Sequence, residues 1–195
     1  MSSRKGVSTV DKKRNILKMV YAAMLLALAL VLPFLTGQIP EIGAMLCPMH
    51  LPVLFCGFIC GWFWGLAIGV MSPILRSLTL GMPQLFPTAL AMAIELAAYG
   101  AISGITYRLL PRKRIFILIS LLIAMLAGRI CWGVAMYLFL GGALGDFGLP
   151  AFVAGAFTNA IPGIILQILL IPATVMLFER RRGVITLNIR EENKE

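Results

Sequence analysis

Fifteen of the 17 lysines and arginines in this 195-residue chain fall in three short polar segments, and the stretches between those segments are almost wholly apolar. Arg4, Lys5, Lys12, Lys13, Arg14 and Lys18 lie at the start, Arg108, Arg112, Lys113 and Arg114 in the middle, and Arg180, Arg181, Arg182, Arg190 and Lys194 in the tail. Basic residues concentrated beside apolar runs are the pattern left when short loops keep their positive charge on the cytoplasmic side of a membrane. The composition agrees: 60% of residues are hydrophobic and 13% charged, against about half and a quarter in soluble proteins. A cytosolic globular domain and a disordered chain are both excluded on those figures. The net charge of +9 needs no polyanionic partner, and no nucleic-acid role is expected.

A bilayer core is crossed by about 20 helical residues, and the apolar runs predict six spans near 16–35, 50–61, 62–80, 86–110, 115–141 and 150–178. The fold class expected is thus all-α and transmembrane. With both termini inside, all three basic segments are cytoplasmic and the outer loops carry only Glu41 and Asp146. The chain then divides into a basic cytoplasmic segment 1–15, a membrane domain 16–180 and a charged cytoplasmic tail 181–195. The run from His50 to Leu80 is long for one crossing and short for two. Gly57, Gly61, Gly65 and Gly69 recur through it at every fourth residue, a spacing that packs helices closely in lipid. A tight cytoplasmic turn near Gly61 to Phe63, leaving the second span short and tilted or broken at Pro52, is expected, with a single long tilted helix as the alternative.

The first apolar run is too long for a secretory signal core and reads as a retained anchor. Cys47, Cys56, Cys60 and Cys131 lack paired metal spacing and read as small apolar packing groups. No internal repeat supports an inverted-repeat transporter. No G-x-x-x-x-G-K-[ST] loop is present to bind ATP. No metal, cofactor or catalytic residue is expected.

Ionisable residues inside spans cost about 2.5 to 3.5 kcal/mol each at the helix centre, so each asks for a partner or a purpose. Arg76, Glu95 and Arg129 are such residues, and His50 opens the second span. Helical spacing puts Thr88, Glu95, Tyr99, Ser103 and Thr106 on one face of the fourth span. By the same rule Arg129, Trp132 and Met136 share a face of the fifth, and Asn159, Gly163, Gln167 and Thr174 a face of the sixth. Counting at 1.5 Å per residue from the predicted outer ends places Arg76, Glu95, Arg129 and Asn159 roughly 6 to 16 Å deep, in the outer half. An outward-opening pocket among the last three spans follows, with fixed polar groups and apolar or aromatic walls suited to a small organic molecule. The candidate binding residues are His50, Arg76, Glu95, Tyr99, Arg129, Trp132, Asn159 and Gln167.

Two arginines facing one acid leave a positive charge over, which favours a ligand with an anionic group held by a guanidinium fork. Simple pairing of Glu95 with either arginine to stabilise the bundle is the structural alternative. In the first span, Ala23 and Ala27 form a small-xxx-small pair, suited either to internal packing or to docking another membrane subunit. An intramembrane enzyme would need a nucleophile and base, a metal cluster or paired carboxylates. One histidine and one deep carboxylate do not supply these, so the chain is not expected to be an enzyme. A stand-alone facilitator without ATPase partners is the other reading.

The segments IPEIGAMLCPMHLPVLFCGFICG, SPILRSLTLGMPQLFPTALAMAIELAAYG, AGRICWG and NAIPGIILQILLIP, with the size and the Ala23/Ala27 pair, carry a family likeness. Over about residues 16–180 the chain resembles the substrate-binding S component of energy-coupling factor (ECF) transporters, near the folate and pantothenate type. The resemblance implies a multi-pass protein of a prokaryotic plasma membrane that captures a vitamin or related micronutrient from outside; pantothenate, which joins a carboxylate to a compact polar body, is the first expectation, with folate, nicotinate and pyrimidine or pyridoxine-type compounds as alternatives. It implies as partners a transmembrane T component, met by Ala23 and Ala27, and two ATPase subunits that drive inward delivery. Loops at 36–49 and 80–86 would cover the pocket.

Overall fold

A computed structural model describes residues 3–36, 47–111, 114–140, 152 and 160–192, and among these all regular structure is helical. The helices are α1 (Ser3–Val31, continued by a 3-10 turn Leu32–Thr36), α2 (His50–Cys60), α3 (Trp62–Leu80), α4 (Leu90–Leu109, entered through a wide turn Leu85–Ala89), α5 (Arg114–Phe139) and α6 (Ile161–Glu192). Five of them carry a stretch long and apolar enough to cross a membrane: Asn15–Phe34, Trp62–Leu80, Leu85–Leu109, Ile115–Phe139 and Ile161–Phe178. The second predicted span is the exception. At 11 residues α2 is roughly 16 Å long, about half the hydrocarbon thickness.

The break between α2 and α3 falls at Gly61 alone, whose φ of 97° and ψ of 172° lie where a side chain is strained. Pro52 does not break α2. It stands in the first turn, where its missing N–H has no helical acceptor to lose. The glycine spacing serves α4, the central helix, which packs on α2, α3 and α5. A Cβ placed on Gly65 would meet the Gly100 carbonyl oxygen at 2.5 Å, and one on Gly57 would meet the same oxygen at 2.5 Å. These helices therefore touch backbone to backbone. In lipid, where apolar burial supplies little drive between helices, such close contact is a main source of association.

The alanines of α1 divide between two faces. Ala22 and Ala29 are buried against the bundle, where α1 packs on α2 and α3, while Ala23 and Ala27 are exposed on the other side. Phe178 of α6 meets Tyr21 of α1 and Phe55 of α2 edge-on, at ring separations of 5.7 and 6.2 Å. Outer faces carry exposed Met24, Leu28, Leu126, Val134, Leu138 and Leu169, surfaces that a bilayer solvates and water does not.

Candidate functional site

Glu95 and Tyr99 are four residues apart on α4, so they share a face, and both are buried at 2% and 0% exposure. Tyr99 donates its hydroxyl to Glu95 Oε1 at 3.1 Å. Arg129 Nη1, from α5, stands 3.0 Å from the same oxygen. His50 Nε2, from the first residue of α2, is 3.5 Å away, near enough for attraction but without the alignment of a hydrogen bond. Three helices thus converge on one carboxylate oxygen, and none of these contacts reaches Oε2. A charge pair at this depth gains its attraction only against the cost of removing both ions from water. Well-packed apolar groups can do as well structurally, so its presence points to use.

The far side of the Arg129 fork is also engaged, by Cys47 Sγ 3.7 Å from Nη2. Cys47 has a φ of 46°, unusual without a glycine, and its carbonyl accepts the His50 N–H at 3.0 Å. The chain therefore turns into α2 beside Arg129, and the turn delivers the imidazole to Glu95. Burial, the largest influence, raises the Cys47 thiol above its ordinary value, so Cys47 brings no negative charge to the fork.

Aromatic rings complete the setting. His50 and Tyr99 pack edge to face with centroids 5.2 Å apart. A Cβ on Gly128 would lie on the Tyr99 ring and 3.1 Å from the Glu95 carbonyl oxygen, so that glycine admits Tyr99 against α5 one residue before Arg129. Trp132 stacks on Phe152 at 6.5 Å and 26°.

Several buried polar atoms here have no partner among the described residues: both ring nitrogens of His50 as hydrogen-bonding groups, Nε of Arg129, and both Nε2 and Oε1 of Gln167. Gln167 is fully buried on α6, which packs against α2 and α5, the helices that carry His50 and Arg129. Buried orphans of this kind are scarce in folded proteins and mark places where another molecule supplies the bond.

Of the residues expected to form the site, the structure brings together His50, Glu95, Tyr99 and Arg129. Trp132 is three residues on from Arg129, and Gln167 lies on the adjoining helix. Asn159 lies outside the described residues. Arg76 is elsewhere: its Nη1 donates to the Leu30 carbonyl at 3.4 Å and its Cζ lies 5.7 Å from the centre of the Phe34 ring. Leu30 is in the last turn of α1, where free carbonyls and the negative end of the helix dipole favour a cation. Among the described residues the arginine that pairs with Glu95 is Arg129. Cys47 and Gly128 are the residues that sequence reasoning missed. Neither has a motif, and only the proximity of Cys47 to Arg129 and of Gly128 to Tyr99 in space reveals them.

Residues 17–175 match the family model described as ECF transporter, substrate-specific component, and the chain belongs to that family. No curated protein and no solved structure matches it. The chain is therefore a substrate-specific membrane subunit of the ECF class, multi-pass and of a prokaryotic plasma membrane, in a family of transporter subunits rather than of enzymes. Components of this class bind small molecules and work with a T component and an ATPase module.

Proposed function

We propose that this chain captures a small water-soluble vitamin or related micronutrient from outside the cell and delivers it inward with a T component and two ATPase subunits. The observation that carries the reading is the buried junction of Glu95 with Arg129, Tyr99 and His50, drawn from three helices. A junction held from three helices is a sensitive lever. Occupation can lock the helices together, and a shear of α2 or α5 against α4 separates the groups that hold the nutrient.

In this reading Glu95, Arg129 and His50 contact the nutrient, Tyr99 fixes Glu95, and Trp132 and Gln167 wall the pocket, with Asn159 completing it. The short α2 counts as the second of six spans, both termini lie in the cytoplasm, and segment 80–86 covers the pocket from outside; the loop expected at 36–49 lies largely outside the described residues. The vitamin branch of the family is the expected home; the two arginines behind the expectation of an anionic ligand stand apart, Arg76 donating to the Leu30 carbonyl of α1 and Arg129 pairing with Glu95. Ala23 and Ala27, exposed on α1, form a smooth strip on which a T component docks. Ala23→Leu and Ala27→Leu are expected to leave nutrient binding intact and to reduce co-purification with a T component; unchanged co-purification removes the docking strip.

Purification from cells grown in rich medium, followed by native mass spectrometry, tests capture itself. The expected result is a bound small molecule released on denaturation. A folded protein that carries none, and binds none of the vitamins supplied, contradicts the proposal. Uptake by vesicles containing the chain alone would instead favour a facilitator that needs no ATPase.

A further inference from the structure

We infer that the Glu95–Arg129 centre recognises an uncharged group in which a hydrogen-bond donor and an acceptor stand side by side, as on an amide, lactam or ureide edge, rather than a carboxylate or phosphate. This rests on the capture reading above and specifies its ligand.

Charge is the first argument. Glu95 and Arg129 form a 3.0 Å ion pair, the Cys47 partner of the guanidinium is a thiol, and Arg76 is held by α1. An entering anion would thus meet a compensated arginine with the Glu95 carboxylate directly behind it. An entering cation would meet the Arg129 guanidinium in the same way. At membrane depth neither unbalanced charge is screened.

The unmatched atoms give the second argument, and it is independent of charge. The Arg129 Nε–H can only donate. Gln167 offers a carbonyl acceptor and an amide donor from one planar group. A carboxylate brings acceptors only and leaves Gln167 Oε1 unmet. An ammonium brings donors only and leaves Arg129 Nε and Gln167 Nε2 unmet. Only a group carrying both kinds satisfies the buried orphans on each side. Gln167 is matched by a planar amide-like edge in the paired fashion of two carboxamides. Trp132, stacked nearly parallel to Phe152 and one turn along α5 from Arg129, adds a flat wall suited to a planar ring.

The test uses the full chain purified in detergent from cells grown in rich medium. The molecule it carries is released by denaturation and identified by mass. Its retention is then compared between the parent and Gln167→Met, which keeps the length of the side chain and removes both polar atoms. The expected molecule has a neutral edge with adjacent donor and acceptor, and the variant retains at least about tenfold less of it, because a site built to hydrogen-bond loses much when one side goes unpaired. If Gln167→Met does not fold, Gln167→Glu, which removes both N–H donors, gives the same comparison. A released carboxylate or phosphate without such an edge overturns the inference and leaves capture standing. Equal retention by a folded variant overturns it as well. A folded parent that releases nothing removes the capture reading and this inference together.

Discussion

The two halves of α4 carry the same polar stripe and use it in opposite ways. Toward Leu90, Glu95 reaches across to Arg129 of α5 and His50 of α2, while Tyr99 donates to Glu95 and lays its ring against His50. Toward Leu109, Ser103 donates back to the Gly100 carbonyl at 3.2 Å, and Thr106 donates back to Ile102 at 2.6 Å. Those hydroxyls satisfy themselves within their own helix, while Gly57, Gly65 and Gly100 bring the backbones of α2, α3 and α4 together beside them. Periodicity in a sequence shows which face is polar; whether that face binds something or merely packs depends on whether each group can reach an acceptor in its own turn. Serine and threonine can. Glutamate must find partners elsewhere, and the groups it meets on α2 and α5 define the site.

The largest expected effect comes from breaking the junction. Arg129→Ala leaves the Glu95 carboxylate buried without its main partner, a loss of about 3 to 5 kcal/mol in comparable pairs. It should abolish nutrient binding by titration calorimetry, and binding within a few-fold of the parent would take Arg129 out of the site. Next is the packed half. Gly100→Val forces a side chain into the α3 backbone and should cost about 1 to 3 kcal/mol or more of stability, read as a lowered melting temperature in detergent. A parent-like melt would show that the helices need not touch there.

Gly128→Ala sharpens the comparison, because it pushes on Tyr99 without removing any polar group. Affinity should fall by roughly tenfold, equivalent to about 1.4 kcal/mol, while the melting temperature changes less than for Gly100→Val. The reverse order of the two effects would place Gly128 in the packing seam rather than in the site. Smallest is Ser103→Ala. Its hydroxyl bonds its own helix, so stability and affinity should both stay within about 0.5 kcal/mol of the parent, and a large loss of affinity would extend the site down the whole stripe.

The membrane character, the bounds of α2 and α3 and the special standing of Glu95 and Arg129 are legible in the sequence, because charge and apolar length are counted along the chain; the start of α1 at Ser3 and the end of α6 at Glu192 lie well beyond the apolar runs. The turn at Gly61 is legible too, since few other residues fit its backbone. The role of Arg76 is not, because its partner is the Leu30 carbonyl, and a backbone oxygen leaves no mark in a sequence. Cys47 and Gly128 are hidden for a related reason. One lies 82 positions from the arginine it touches, and the other acts through the side chain it lacks.

The central claim is that the junction of α2, α4 and α5 holds a captured nutrient. Its most direct test is native mass spectrometry of the parent and of Arg129→Lys, purified side by side from cells grown in rich medium. Lysine keeps the charge and loses the planar fork with its Nε–H. The account predicts a small-molecule adduct on the parent and little or none on an equally folded variant. The same adduct occupancy on both proteins would contradict it.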